Sequence, residues 1–215
     1  MPLTVRPMRR EDVTALAALH ARVFPAYDST ALGRPYLVAL YGVLASHPSA
    51  LSLVAEEDDA VVGWLGGVRH YGGFYRALVR ACWWRAPALA ANALRRRPRL
   101  IAKAASLGWW LIRRTASLRP AAAGTPAGEE EAGTGATPGR CAYLLVIGVS
   151  PSGQRQGVGR VLMADFHRRL VDAGFGRVRL STFVDNDAGN AAFARAGYRL
   201  ESADGRINRY VKELT

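Results

Sequence analysis

Six residues, Gln154-Arg155-Gln156-Gly157-Val158-Gly159, constrain the fold of this chain more than any other stretch, because of what flanks them. Upstream, Tyr143 to Val149 is a nearly continuous apolar run of strand length. Downstream, Val158, Val161, Leu162, Phe166 and Leu170 recur at helical spacing. The order is therefore strand, glycine turn, helix. The first amides of a helix have no acceptors within it and carry the positive end of its macrodipole, so such a turn can hold an anion and suits a phosphate. Lacking Cβ atoms, Gly157 and Gly159 let a diphosphate approach the backbone closely, and Arg155 and Arg160 add charge at the rim. Glycines also occupy such turns for steric reasons alone, and both readings stand at this point. Spacing removes two others. No Gly-x-x-x-x-Gly-Lys-Ser/Thr occurs, which excludes a nucleoside-triphosphate loop, and the Gly-x-Gly-x-x-Gly spacing of a dinucleotide fold is missing.

At 215 residues the chain is long enough for one well-packed α/β domain with an insertion, and a single domain over 1–215 is expected. Residues 3–8 read as a strand, and Val13, Leu16, Ala17, His20 and Phe24 form one face of a helix. A second helix is centred on Leu37, Leu40, Tyr41 and Leu44. Residues 51–56 and 61–69 form a hairpin around Glu57-Asp58-Asp59-Ala60. Later, 177–184 alternates as a strand and Asn186 stands where a helix N-cap belongs.

The formal net charge is +12, and residues 60–119 account for all of it, with eleven arginines, Lys103 and no Asp or Glu. Within that window, residues 74–119 read as a basic, aromatic, helical insertion with Trp83-Trp84 and Trp109-Trp110 pairs. From Pro98, Leu100, Ile101, Ala104, Leu107, Leu111 and Ile112 make an apolar stripe opposite Arg99, Lys103, Arg113 and Arg114. Such a segment serves as a lid or homodimer contact, as a membrane-surface helix, or, least favoured for want of a reader motif, as a nucleic-acid contact. No run reaches the roughly 20 apolar residues of a membrane span. Residues 120–140 are rich in Ala, Gly, Thr and Pro and read as a flexible loop. Cys82 and Cys141 form neither a disulfide framework nor a metal motif; with no apolar core behind the N-terminal charges, a cytoplasmic protein without bound metal is expected, peripheral at the membrane if the insertion attaches there.

The glycine turn after a strand ending Val149-Ser150-Pro151, the Asn186-led helix reaching Ala196-Gly197-Tyr198, and the opening Leu3-Thr4-Val5-Arg6-Pro7 followed by Glu11-Asp12 together resemble the GNAT superfamily of N-acetyltransferases. The resemblance implies an α/β (α+β) acyl-CoA N-acyltransferase fold, a mixed, mostly antiparallel sheet flanked by helices. It implies acetyl-CoA held by Val149, Gln154, Arg155, Gln156, Gly157, Val158, Gly159 and Arg160, with Asn186 and Asn190 as further contacts. It also implies a bulge that splays two parallel strands, expected at Ile147-Gly148, and a backbone amide that stabilises the oxyanion of the thioester. A neutral amine then attacks directly.

The chain departs from the family pattern at the proton-transfer residues. The usual acid, a tyrosine four residues before the glycine of the Gly-Tyr pair, is Phe193 here. The positions of the usual base fall on Tyr143 and Leu145, which leaves Tyr143 as the catalytic candidate, relaying a proton through water, or else as a pocket wall. His70, Tyr71 and Asp185 lie where a cleft could form. The function implied is acetyl transfer from acetyl-CoA to a primary amine, small or peptidic, and a positive cleft would favour an acidic acceptor. The alternatives are an acyl-CoA-binding protein without catalysis and a peripheral membrane or nucleic-acid binder.

Overall fold

The computed structural model describes residues 3–96 and 140–214. Its strands are β1 (Thr4–Pro7), β2 (Ala50–Glu57), β3 (Ala60–Val68), β4 (Arg140–Val149), β5 (Phe175–Phe183), β6 (Arg199–Ala203) and β7 (Ile207–Glu213). They form one seven-stranded sheet in the order β1-β2-β3-β4-β5-β7-β6, in which β4 and β5 run parallel and every other neighbouring pair antiparallel. The helices are α1 (Val13–Val23), α2 (Asp28–Ala31), α3 (Arg34–Ser46), α4 (Tyr71–Trp83), α5 (Ala86–Arg96), α6 (Val158–Asp172) and α7 (Asp187–Arg195). The stripe beginning at Pro98, the Trp109-Trp110 pair and the loop expected over 120–140 lie outside the described residues, except that Arg140 is already the first residue of β4.

Strand alternation divides the core in two. On one face Leu53, Leu65, Leu144, Val178 and Leu180 pack with Leu162, Phe166 and Leu170 of α6. On the other, Val54, Trp64 and Val68 pack with Leu16 of α1, Leu37 and Tyr41 of α3 and Phe74 and Leu78 of α4. Complete burial of side chains such as Trp64, Phe166 and Leu16 contributes roughly 1.5–3 kcal/mol each. In β3 a Cβ on Gly63 would come within 2.6 Å of Val158, and one on Gly67 would enter the Phe166 ring. The bare strand therefore sets how closely α6 can lie on the sheet, and with it where the glycine turn points.

Local rules end the elements where they end. Asp58 and Asp59 turn the β2–β3 hairpin with φ of 51° and 59°, left-handed as a two-residue turn requires. Arg6 of β1 donates to Asp12 through two bonds of 2.8 Å and to Glu56 of β2 through Nε at 2.9 Å. Burial pushes the Asp12 carboxyl up, but the Arg6 guanidinium and the Arg9 amide outweigh that and hold it below its ordinary value. The edge strand is thereby tied to the start of α1.

Candidate active site

The turn between β4 and α6 is built mostly from backbone. Ser150, itself buried, accepts the Gly153 amide at 3.2 Å and starts a short 3₁₀ turn over Pro151–Gly153. Arg155 and Gly157 then take left-handed conformations, φ 66° and 80°, and α6 begins. No side chain caps this helix start. Helix geometry gives the amides of Val158, Gly159 and Arg160 no acceptor of their own, so they form a concave set of donors at the positive end of a 15-residue helix. Buried Val158 anchors them to the sheet.

Gly157 has a conformational reason to be glycine; Gly159 has no such reason. Its φ is not positive, and a Cβ there would meet only Val149 Cγ2, at an ordinary 3.7 Å. Bareness at Gly159 therefore keeps room beside the donors, which fits a diphosphate lying against them. Gln154, Arg155 and Arg160 are exposed around this cradle, whereas Gln156 folds back, its Nε2 donating to Ser152 O at 2.9 Å.

Beside the cradle the sheet opens. Parallel pairing of β4 with β5 runs from Arg140 to Leu144↔Leu180 and stops. At the same point the β3 register jumps from Gly66↔Val146 to Gly67↔Leu144, which makes Leu145 the extra residue of a bulge. Leu145 and Val146 consequently face the same side, against the second core. This corrects the expected position at Ile147-Gly148. Gly148 is bare for another reason, since a Cβ on it would fall inside the Trp64 indole, its partner across the β3–β4 ladder.

A cavity of about 280 Å³ fills the opening. Its walls are Leu144–Ile147 of β4, Leu180–Thr182 of β5, Asn186 and Phe193 of α7, and an aromatic group comprising Phe24, Tyr27, Tyr36, Tyr71, Phe74 and Tyr75. The residues Tyr71, Phe74, Tyr75 and Leu78 are spaced as one face of α4, so the basic segment begins as a wall of the site, with Arg76 and Arg80 exposed on its outside. No Asp, Glu, Lys or Arg lines the cavity among the described residues.

A polar chain reaches this cavity. Trp64 Nε1 donates to the Tyr41 hydroxyl at 2.7 Å, Tyr41 Oη lies 2.7 Å from His20 Nδ1, and His20 Nε2 lies 2.9 Å from Ser29 Oγ. Burial lowers the His20 pKa to about 4, so the ring is neutral at pH 7. Burial likewise raises the Tyr41 hydroxyl, against a smaller opposing effect of its Trp64 hydrogen bond. In the sequence His20 and Tyr41 stand on apolar helix faces, and nothing marks Ser29. A polar residue inside each stripe is the signal available, but nothing local joins positions 20, 29, 41 and 64.

The other expected residues separate. Val149 abuts Gly159 from the end of β4. Asn186 lines the cavity, caps α7 through Gly189 N and donates to Thr182 Oγ1 at 2.8 Å. Asn190 holds α7 in place: its Nδ2 faces the carbonyls of Phe183, Val184 and Asn186, and its Oδ1 accepts from Asn208 and Tyr210. That leaves Asn190 no hydrogen for another partner. The Tyr143 ring packs edge-on to Tyr71 at 5.5 Å and is not among the residues of the cavity wall. Tyr71 lines the cavity, His70 sits instead 6.1 Å from the Phe175 ring, and Asp185 is exposed near Tyr27, raising the phenol further beyond what burial does. Among the described residues no group of three His, Cys, Asp or Glu is placed to hold a metal ion.

Solved structures share this architecture. SsHAT matches at 22% identity and TM-score 0.61 over 100% of both chains. The PaiA N-acetyltransferase of Thermoplasma acidophilum, solved in complex with coenzyme A, matches at 13% identity and TM-score 0.59 over 99% of each chain. The ribosomal-protein-S18-alanine N-acetyltransferase of Escherichia coli matches at 12% and 0.57, over 100% of this chain and 95% of that one. No curated protein matches the chain. The profile of the acetyltransferase (GNAT) family matches residues 14–198, which span the split strands, the α6 cradle and the Asn186-capped helix. The chain belongs to the GNAT family of acetyltransferases.

Proposed function

We propose that the protein transfers an acetyl group from acetyl-CoA to the primary amine of a small acceptor with an apolar or aromatic body. The observation that carries this is the meeting of two features: an uncapped helix start kept bare at Gly159, and a parallel strand pair parted at Leu144 to leave a cavity. The amides of Val158, Gly159 and Arg160 suit the diphosphate, with Arg155 and Arg160 adding charge. Past the bulge at Leu145, Val146 and Ile147 keep their pairing to β3 and, among the described residues, have an unpaired edge toward β5, suited to the amides of the pantetheine arm. Acetyl-CoA, when bound, supplies the activated acetyl group.

The acceptor follows from the walls. An amine entering a cavity lined by four tyrosines, two phenylalanines besides Phe193 and, among the described residues, no carboxylate loses hydration without gaining a counter-charge. That environment favours the neutral amine, the form that attacks. Aromatic faces suit an apolar body better than a sugar nucleotide, and a cavity of about 280 Å³ suits a small one. Release of free CoA, followed across a panel of amines, tests the reading: arylalkylamines should turn over fastest. Turnover restricted to anionic sugar nucleotides or to cationic aminoglycosides would overturn the acceptor assignment.

A second reading, compatible with the first, concerns the outer face of α4 and α5. Trp83 and Trp84 are 71% and 86% exposed beside Arg80 and Arg85, a combination suited to an anionic membrane surface. No helix among the described residues is long and apolar enough to cross a membrane. Co-sedimentation with anionic vesicles should weaken severalfold in a Trp83→Ser, Trp84→Ser variant; unchanged sedimentation removes the reading.

A further inference from the structure

The family position for the acid that protonates the sulfur holds Phe193, and the cavity wall contains no carboxylate among the described residues to take the amine's proton, so both transfers need another carrier. We infer that the Ser29 hydroxyl is this carrier, held in place by a fixed donor chain running from Trp64 through Tyr41 and His20. The inference rests on the acetyltransferase reading above and assigns a catalytic group within the same site.

The direction of the chain follows from counting hydrogens. Indole Nε1 can only donate, so Tyr41 Oη accepts from Trp64. Fully buried Tyr41 must place its own hydrogen, and among the described residues His20 Nδ1 at 2.7 Å is the acceptor within reach. His20 Nδ1 therefore has a bare lone pair, its hydrogen sits on Nε2, and Nε2 donates to Ser29 Oγ at 2.9 Å. One lone pair of Ser29 Oγ is thus occupied from behind. Its second lone pair and its hydrogen are left for the cavity that Ser29 lines, and it makes no other hydrogen bond to the described residues.

A hydroxyl presented this way is a two-sided relay. When the amine nitrogen bonds to the acetyl carbon, that nitrogen must lose one proton, and as the carbon–sulfur bond breaks the sulfur must gain one. Ser29 Oγ takes the nitrogen's proton as its own hydrogen passes to the sulfur, so serine ends as it began and neither a strong base nor a strong acid is required. His20 is a positioning residue: neutral and fixed in one tautomer, it holds Ser29 Oγ in place.

The test pairs kinetics with spectroscopy on the full chain. Ser29→Ala should lower kcat about 100-fold while the KM of the amine and the calorimetric Kd of acetyl-CoA change less than about threefold; Ser29→Thr should recover kcat to within about fivefold. In the free protein, ¹⁵N NMR of the His20 ring should show hydrogen on Nε2 and none on Nδ1. Full turnover by a Ser29→Ala protein that binds acetyl-CoA overturns the relay alone, as does the opposite His20 tautomer. Failure of wild-type protein to bind acetyl-CoA overturns the acetyltransferase reading and the relay with it.

Discussion

The cradle at Gly157–Arg160 and the cavity beside Ser29 are neighbours built on opposite principles. The cradle is contiguous in sequence and works through backbone amides, two glycines and a helix end, with its flanking side chains exposed. The cavity draws side chains from α1, α2, α3, α4 and α7, and from two strands, and its polar chain links residues as far apart in sequence as His20 and Trp64. A backbone site tolerates nearly any sequence that keeps the turn and the bare position. A side-chain site can change its chemistry one residue at a time while the fold stays, and a phenylalanine at 193, where the family resemblance implies a tyrosine, would be such a change. The contrast predicts that damage to each region leaves the other intact.

The largest expected effect is at the cradle. Gly159→Glu puts a carboxylate beside the helix amides, at the place proposed for the diphosphate, and acetyl-CoA affinity measured by calorimetry should fall about 100-fold or more. Because a Cβ there meets nothing closer than Val149 at 3.7 Å, the melting temperature should barely move. A variant that unfolds but retains affinity in its folded fraction would erase the distinction between cradle and core. Gly148→Ala makes the opposite prediction. Its methyl group would overlap the Trp64 indole, costing about 2–3 kcal/mol in denaturant unfolding, with little change in the acetyl-CoA affinity of the folded protein.

Acid should act on the side-chain regions first. His20 and His167 both fall to about 4, each chiefly through burial, with Lys212 adding to the effect on His167. The unfolded chain takes up these protons near pH 6.5, well before the folded one. Stability is therefore complete above about pH 7, is lost as pH falls from 6.5 toward 4 by on the order of 2–3 kcal/mol per ring, and levels off below that for these groups. His20→Gln should remove its part of the slope between pH 6.5 and 4 in thermal unfolding; an unaltered slope would mean that the ring is solvated. Smallest is the effect of Tyr71→Ala on the acceptor wall: KM for an arylalkylamine should rise about tenfold, and the acetyl-CoA Kd should not change. Equal losses in both would show that the wall also shapes the cradle.

Sequence pattern reveals these two regions unequally, for physical reasons. The strand, turn and helix of the cradle lie within one contiguous stretch, 140–172, and obey periodicities of two and 3.6, so they can be read directly. The parting of β4 from β5 is implied by the family resemblance and not by the pattern, and its position is not legible either, because Gly148 attracts a bulge assignment that Trp64 packing explains instead. Alternation alone cannot reveal that Leu145 and Val146 share a face. Tyr143 is the one ionisable residue among the expected base positions, yet it packs on Tyr71 rather than lining the cavity. His20 and Ser29 are hidden because their meaning depends on Tyr41 and Trp64, brought together by tertiary packing. The charge of residues 60–119 is legible, but its placement is not: where the start of that segment is described, α4 turns Tyr71, Phe74 and Tyr75 toward the cavity and Arg76 and Arg80 outward, with Trp83 exposed at its end.

The central claim, that the amides opening α6 hold the coenzyme diphosphate, is tested most directly by ¹H–¹⁵N NMR of the backbone during titration with acetyl-CoA. The Val158, Gly159 and Arg160 amides should show the largest downfield shifts, and pantetheine, which lacks the diphosphate, should leave them in place. Saturable binding of acetyl-CoA that leaves those three amides unmoved would contradict it.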